Sequence, residues 1–597
     1  MNRLLITTLV TVLIASGPAH IHADAPVDAA KQAELASQAY GILKNRCYRC
    51  HGGEKKIEGI DVLDRNLLTA NLAGRDEDPR SLIVPGKPDD SELWYPIEDE
   101  RMPKEGSKEA RSMTAEERAT LKEWIEAGAP FPERTIREFV TTRTILQAMR
   151  DHLFKAKADD RAYQRFFTLT HLYNNARVTE DDLRLYAAGL SKLINSLSYE
   201  RQIVLPKLIE GTSGTVFVVD LRDLGWDKRN LWGQLLKHYP YGLTYDFIND
   251  DEDLQQISKD LTLLSGTFLA HVRSDWFVFT ASRPPLYEIM MDIPGTIQEL
   301  EHRLGVDFES NFEHNRLVRG GFNKSGVSSQ NRLVERHEYS TGSGSYWISY
   351  DFKPRRAKAD LVRFPLGPKF PGNKFNQFAF EHDGGEAIFS LPNGLQAYML
   401  ALGDGTRLDE PAPADVVYDD SAVAGTPAVV NGLSCMNCHK NGMIDFRDEI
   451  RNANAVGGAT LNKVRDLYPP QAEMNVLVDH DRKRFLVALE RTIGPFLKVG
   501  DDAKKPIEQF PEPISKVAKR YLADLGPAEA AAELDIVSAK EFQARVRGNR
   551  ELLKFGLGTL ILEPAGTIKR EKWEAIDGSS LFQDVAGRMS IGTPISP

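Results

Sequence analysis

All four cysteines of this 597-residue chain fall in two copies of one pentapeptide, Cys47-Tyr48-Arg49-Cys50-His51 and Cys435-Met436-Asn437-Cys438-His439. Two thiols at this spacing can bond the vinyl groups of a porphyrin, and the histidine that follows can ligate its iron. C-x-x-C-H is the attachment site of c-type haem. No cysteine is left over, and both pairs end in His although the chain has only 13 histidines. A C-x-x-C redox pair does not explain a histidine twice. A zinc site built from both pairs needs neither histidine, and disulfides leave both unexplained. The reading is two covalent haem c groups held by Cys47, Cys50, Cys435 and Cys438, with His51 and His439 as iron ligands.

The two motifs differ in what surrounds them. Ahead of Cys47, a helix is predicted from Lys31 to Leu43, with Leu35, Ala39, Ile42 and Leu43 on its apolar side. The opposite face of that iron needs a second ligand, and Met102 is the candidate. It lies in Arg101-Met102-Pro103, where the proline prevents helix and presents the thioether on extended backbone. Thr114-Ala115-Glu116-Glu117 then has capping-box spacing, with Leu121, Trp124 and Ile125 as the buried face of a helix that Gly128 ends. Met102 can equally be a core methionine. For His439 no Met-Pro loop follows at cytochrome spacing. His382 and His480 are possible distal ligands for the second haem, beside Met474, His337 and Met399. Met443 stands too near His439 to cross to the other face. An iron with no distal ligand is the remaining case.

Residues 47–129 carry a resemblance to the small cytochrome c domain of large planctomycete-type proteins. It rests on Cys50-His51-Gly52, on Leu82-Ile83-Val84-Pro85-Gly86-Lys87-Pro88 with Ser91 and Leu93, on Arg101-Met102-Pro103, and on Trp124-Ile125-Glu126-Ala127-Gly128-Ala129. The resemblance implies that Cys47 and Cys50 carry haem, with His51 proximal and Met102 distal. The central block and second motif resemble periplasmic c-type cytochromes of the same multidomain type. That likeness rests on Asp220-Leu221-Arg222-Asp223-Leu224-Gly225-Trp226, Ser325-Gly326-Val327-Ser328, Phe389-Ser390-Leu391-Pro392-Asn393-Gly394 and Ser434-Cys435-Met436-Asn437-Cys438-His439. It implies architecture and no reaction. Cys435 lies 388 residues after Cys47, which fits poorly with di-haem peroxidases, whose two motifs stand much closer.

The rest of the chain must position these motifs. Arg3, the apolar run Leu4 to Ala15 and the break at Ser16-Gly17-Pro18 read as a signal peptide over 1–25, cut after Ala23 or Ala25. The run is short for a span of about 20 residues, and no transmembrane span is expected once it is removed. Export to the periplasm follows, and it agrees with haem attachment outside the cytoplasm. A net charge of −10 without a basic tract argues against nucleic acid as a partner.

The expected fold is multidomain. An all-α cytochrome c-like domain covers 30–133, and a central α+β region covers 134–400. A second c-type haem-binding region covers 401–500, and a mostly helical C-terminal region covers 507–597. Within the centre, helices are predicted over Ile136–Lys155, Asp160–Tyr173 and Glu180–Leu197. Strands are predicted at Gly214–Asp220, Trp276–Phe279 and Ser345–Tyr350. Stretches rich in Arg, Asn and Gly (Arg319–Gly326, Asn331-Arg332, Glu335–His337) read as polar loops. They could line a pocket, contact haem propionates, or form a partner surface. His382 reads as a hairpin residue and His480 as the start of a helix over Asp481–Leu489.

Three functions are compatible with these residues. One is a di-haem cytochrome that transfers electrons to or from a redox partner protein or a small-molecule donor or acceptor. The second is a haem-dependent oxidoreductase with an open second iron, acting on a small molecule or peroxide. The third is a partner- or glycan-binding module with cytochromes attached. No Ser-His-Asp order, phosphate loop or H-E-x-x-H signature supplies rival chemistry. A thioether ligand favours ferrous iron and raises the potential. Met102→Ala is therefore expected to lower the first haem's potential in a spectroelectrochemical titration, and an unchanged potential rejects Met102 as its ligand.

Overall fold

Period-two alternation places consecutive side chains on opposite faces of a strand, and in the middle of this chain it builds the sheet that holds the second motif. The computed structural model describes residues 25–48, 51, 60, 62–63, 68–69, 81–102, 113–131, 137–247, 251–325, 327–341, 344–413, 415–563 and 565–595. The signal-peptide residues 1–24, Cys50 and the segment from Pro103 to Gly106 lie outside the described residues. The chain divides into two compact units, Met1–Ile136 and Arg137–Pro597.

The regular elements described in the first unit are helical. A helix over Ala25–Ile42 passes into a wider turn, Leu43–Cys47, closed by Tyr48 N–H donating to the Leu43 carbonyl five residues back at 2.9 Å. Leu35, Ala39 and Leu43 are buried against Leu121, Trp124 and Ile125 of the helix Ala115–Glu126. The capping box is present: Glu117 N–H donates to Thr114 Oγ1 at 3.1 Å, and Thr114 N–H to the Glu117 carboxylate at 2.8 Å. Arg46, next to Cys47, forms a half-buried ion pair with Glu117 at 2.7 Å. Burial pushes the Glu117 carboxyl up, but the Arg46 guanidinium and the Thr114 bonds outweigh it and hold it below the usual range. The motif is thus tied to the helix that follows it by some seventy residues.

The second unit contains two larger sheets. Strands β1 (Gln164–Thr168), β2 (Lys207–Leu208), β3 (Val216–Asp220) and β5 (His271–Arg273) form one in the order β2-β3-β1-β5, while β4 (Leu243–Thr244) pairs with Thr593–Pro594 near the C-terminus. The other is an antiparallel meander of β6 (Leu317–Ser325), β7 (Ser328–Glu338), β8 (Ser345–Asp351), β9 (Gly384–Ser390) and β10 (Gln396–Leu402), ordered as in sequence. Its core is continuous from Val140 to Ala586, so the segments 134–400, 401–500 and 507–597 contribute to one interior. Buried ion pairs join distant parts of it, including Lys192 with Glu512 at 2.8 Å and Glu533 with both Arg273 (2.9 Å) and Arg570 (2.7 Å).

Several predicted elements differ from those observed. Trp276–Phe279 belongs to a helix, Ser274–Ala281, not a strand. Trp276, Phe277, Val278 and Ala281 are all buried, and a helix apolar on every side carries no period that separates it from a buried strand. The predicted helix Asp160–Tyr173 is interrupted by β1, which pairs with β3 and β5 through Phe166 and Phe167. The Arg/Asn/Gly stretches predicted as loops lie largely in β6 and β7. His480 lies inside a helix over Gln471–Leu497 rather than at a helix start. His382 lies near the end of a long connection over 352–383, and the hairpin is the β9–β10 turn at Asn393-Gly394, where Gly394 has φ +96°.

The register divides the meander's side chains. Leu333, Glu335 and His337 share one face with Tyr350, Ile348 and Tyr346, whereas Arg332, Val334 and Arg336 share the other with Asp351, Ser349 and Trp347. On the first face, Arg319 pairs with Glu335 at 2.5 Å, both fully buried, and His337 Nε2 is 2.8 Å from Glu335. Burial raises the Glu335 carboxyl, but Arg319 and His337 pull it down to about 2. Glu301, in the helix Ile297–Leu304, accepts from the Tyr346 hydroxyl at 3.1 Å. Burial, then the Glu335 charge, push Glu301 up to about 8. Between the ordinary value of 4.5 and about 8, the native state holds one proton more than the unfolded chain, so stability falls as pH rises. The slope from this group is about 1.4 kcal/mol per pH unit at most. Glu301→Gln is expected to gain on wild type steadily from pH 5 to 8 in denaturant titrations, and parallel stability curves would reject this assignment.

Candidate haem-binding sites

The second motif is delivered by a short helix with glycine at its entry and beyond its exit. Gly432 has φ +75° and ψ −72° and starts the helix Leu433–Cys438, and Gly442 has φ +83° four residues after Cys438. A Cβ on Gly432 would meet the Ser282 carbonyl oxygen and the Tyr287 ring. Ser434 Oγ accepts from Val430 N–H at 3.0 Å, and Asn431 donates to Glu288 at 3.0 Å, which pins the entry. Leu433 to Met436 are buried.

Beyond the motif, the chain turns back along β6. Gly321 N–H donates to Asp448 Oδ1 at 2.8 Å, and Phe446 stacks on Phe322 with centroids 5.5 Å apart. Side chains at Gly320 and Gly321 would collide with Phe446 and Ile450. The glycines of β6 are thus where another stretch of chain closes on the sheet's edge strand, which is what a strand glycine commonly marks. Between this returning segment and the second face of the meander is a cavity of about 620 Å³. That lies within the ~300–1,000 Å³ range of small-molecule and cofactor sites. Cys435, Cys438, His439 and Met443 line one side. Arg332, Trp347, Ser349, Asp351, Glu386 and Ile388 line the sheet side.

The chemistry of the donors fits a haem. His439 Nδ1 is 3.2 Å from the Gly442 carbonyl oxygen, a bond that holds the ring proton on Nδ1 and leaves the Nε2 lone pair for a metal. Burial pushes the Cys435 thiol well up and Cys438 up to about 12. Such thiols stay protonated, unlike the thiolates of redox pairs and zinc sites. Cys435 and Cys438 form no disulfide. Among the described residues, no group of three or more His, Cys, Asp or Glu is arranged to hold a bare metal ion. A porphyrin supplies four ligands of its own, so an iron in one needs only one or two from the protein.

The distal candidates are spread around the unit. His337 and Met399 lie on the opposite face of the meander, His337 with both ring nitrogens engaged by Glu335 and Asn311. His480 is 72% exposed and bonds to Asp481. Met474 is buried in the helix Gln471–Leu497 and does not line the cavity. His382 packs edge-on against Tyr350 and Phe380, and burial lowers it to about 4, while its neighbours Asp383 and Gly384 reach the cavity wall. Met443 lines the cavity from the loop just beyond His439. Glu386, in β9, is at the wall. The alternation Gly384, Glu386, Ile388 on one face of a strand was the available signal.

In the first unit, Cys47 packs against the core, and His51 N–H donates to its carbonyl at 2.9 Å. His51 Nδ1 and Trp94 Nε1 are buried with no hydrogen-bond partner among the described residues, polar atoms that a bound group can satisfy. Met102 is half-buried, tethered by its N–H to the Pro96 carbonyl at 2.8 Å, just beyond the helix Trp94–Glu98. Residues 47–106 match the family model described as Planctomycete cytochrome C.

The chain carries a planctomycete-type cytochrome c domain. A domain of this kind holds haem covalently, as c-type cytochromes do. No curated protein and no solved structure matches the chain. The planctomycete-type match ends at residue 106, and the second motif stands on its own geometry.

An alanine at position 432 would adopt a backbone conformation costing about 1–2 kcal/mol for an L-residue, with the Ser282 collision added. Gly432→Ala is expected to lower the thermal midpoint and to deplete haem at the second motif. Wild-type midpoint and haem content would show that the entry geometry is not needed.

Proposed function

We propose that this protein is an exported di-haem c-type cytochrome that carries electrons between a redox partner and a second, buried haem. Haem one is held by Cys47 and Cys50, with His51 and Met102 as axial ligands, in an all-α cytochrome c fold. Haem two is held by Cys435 and Cys438, with His439 as a ligand, in a mixed α+β unit. When bound, each haem supplies a one-electron redox centre. The chain's own residues bind it, exclude water and set its potential.

The observation that carries this reading is the cavity at the second motif, which both thiols and His439 line. Its volume and mostly apolar lining suit a porphyrin, and Lys324, Lys353 and Arg447 at its edge are exposed cations suited to propionates. Export is supported by the N-terminal pattern and by the site of c-type haem attachment. No helix among the described residues is long and apolar enough to cross a membrane. The redox partner is proposed to be a protein or a small-molecule donor or acceptor.

A small-molecule oxidoreductase is the second reading, favoured by the buried Arg332 and Glu386 in the same wall. Purified protein is expected to contain two haems per chain by pyridine haemochrome assay, and Cys435→Ser with Cys438→Ser to contain one. One haem in the wild type rejects the proposal. In the same preparation, prompt carbon monoxide binding by one reduced haem favours the oxidoreductase, and its absence favours electron transfer.

A further inference from the structure

One buried carboxylate faces the iron-binding nitrogen of the second motif. Glu386 projects from β9 into the cavity, with its side chain 14% exposed, and its Oε2 lies 3.7 Å from His439 Nε2. The other ring nitrogen is already engaged by Gly442, so Nε2 is the nitrogen a metal would take. Two axial ligands stand on opposite sides of one iron. Their separation is the sum of two metal–ligand bonds of about 2.0–2.2 Å each, slightly over 4 Å. Glu386 is a few tenths of an ångström short of that spacing, within the reach of a side-chain adjustment.

The same carboxylate is within hydrogen-bonding reach of the Cys435 thiol. Haem attachment adds that S–H across a vinyl group: the sulfur bonds one carbon, the hydrogen goes to the other, and no oxidant is needed. The resulting thioether has no proton to donate. Glu386 therefore loses the Cys435 bond when the haem is attached, and the metal takes the place of its His439 contact. Arg332, itself paired with Asp351 at 2.6 Å, keeps a positive charge in the same wall.

The alternatives are poorer. His337 and Met399 are behind the sheet, His480 faces solvent, and neither Met474 nor His382 lines the cavity. Met443 lines it, but from the loop that carries His439 and so from the histidine's own side of the ring. We propose that Glu386 is the distal axial ligand of the second haem; this rests on the two-haem reading. A hard anionic oxygen favours ferric iron, where the soft thioether proposed at the first site favours ferrous. The second haem would then be the lower-potential centre, and reduction would weaken its distal bond.

The test uses the full-length holoprotein, its Glu386→Gln variant and its Met443→Ala variant, each with haem counted. Electron paramagnetic resonance and visible spectra of the ferric wild type are expected to show one low-spin haem and one oxygen-ligated haem with high-spin character. Glu386→Gln should change only the second haem's signal and raise its potential, whereas Met443→Ala should change neither. Two attached haems with identical spectra in wild type and Glu386→Gln overturn the ligand assignment alone. So does a second low-spin haem in the wild type whose sulfur-to-iron band disappears in Met443→Ala. A single haem per chain overturns the two-haem reading and this assignment with it. A low-spin second haem in the wild type overturns the assignment even if Glu386→Gln fails to fold.

Discussion

The close approach of the segment Phe446–Ile450 to β6 decides where everything else at the second site can stand. Gly320 and Gly321 have no side chains to hold the returning chain away, and Asp448 bonds to the strand's own backbone. That contact fixes the exit of the motif loop, as Gly432 fixes its entry. With both ends pinned, the Cys435–His439 helix end has little freedom, and the cavity between it and the sheet keeps its shape. A covalent cofactor gains from such a mould, because ordering the loop no longer draws on the free energy of attachment.

The meander also separates two charged assemblies. Behind it, Arg319, Glu335 and His337 form a network closed to solvent, with Glu301 neutral beside it. In front are the cavity, Arg332 and Glu386. A buried ion pair adds little net stability, because desolvation offsets the attraction, yet removing one partner strands the other at a cost of roughly 3–5 kcal/mol. The rear network therefore acts mainly on register. A one-residue slip of β7 would bring Glu335 and His337 into the haem cavity and Arg332 behind the sheet.

The two candidate haem sites differ in kind. The first lies among helices, with Met102, a soft candidate ligand, just beyond the helix Trp94–Glu98. The second is set against a β-sheet whose polar residues are hard donors and cations. Haems bound at two such sites would differ in potential without any difference in the attachment motif, since axial ligand and burial tune a haem over a wide range.

Much of the chemistry was legible in the sequence because it is local. The C-x-x-C-H spacing, the capping box at Thr114, the apolar side of the helix ahead of Cys47 and the strand Ser345–Tyr350 depend on residues within one or two turns of each other. The misread elements, Trp276–Phe279, Asp160–Tyr173 and the Arg/Asn/Gly stretches, were decided by partners far away in the chain. A run apolar on all sides fits a buried helix and a buried strand equally, and glycine in a strand looks like a loop until the chain packed against it is known. The position of Glu386 opposite His439, 53 residues later in sequence, belongs to the same class. The sequence alone determined which residues can attach haem. Only the tertiary structure decided what faces His439, because strand register and the returning loop, not sequence proximity, bring those atoms together.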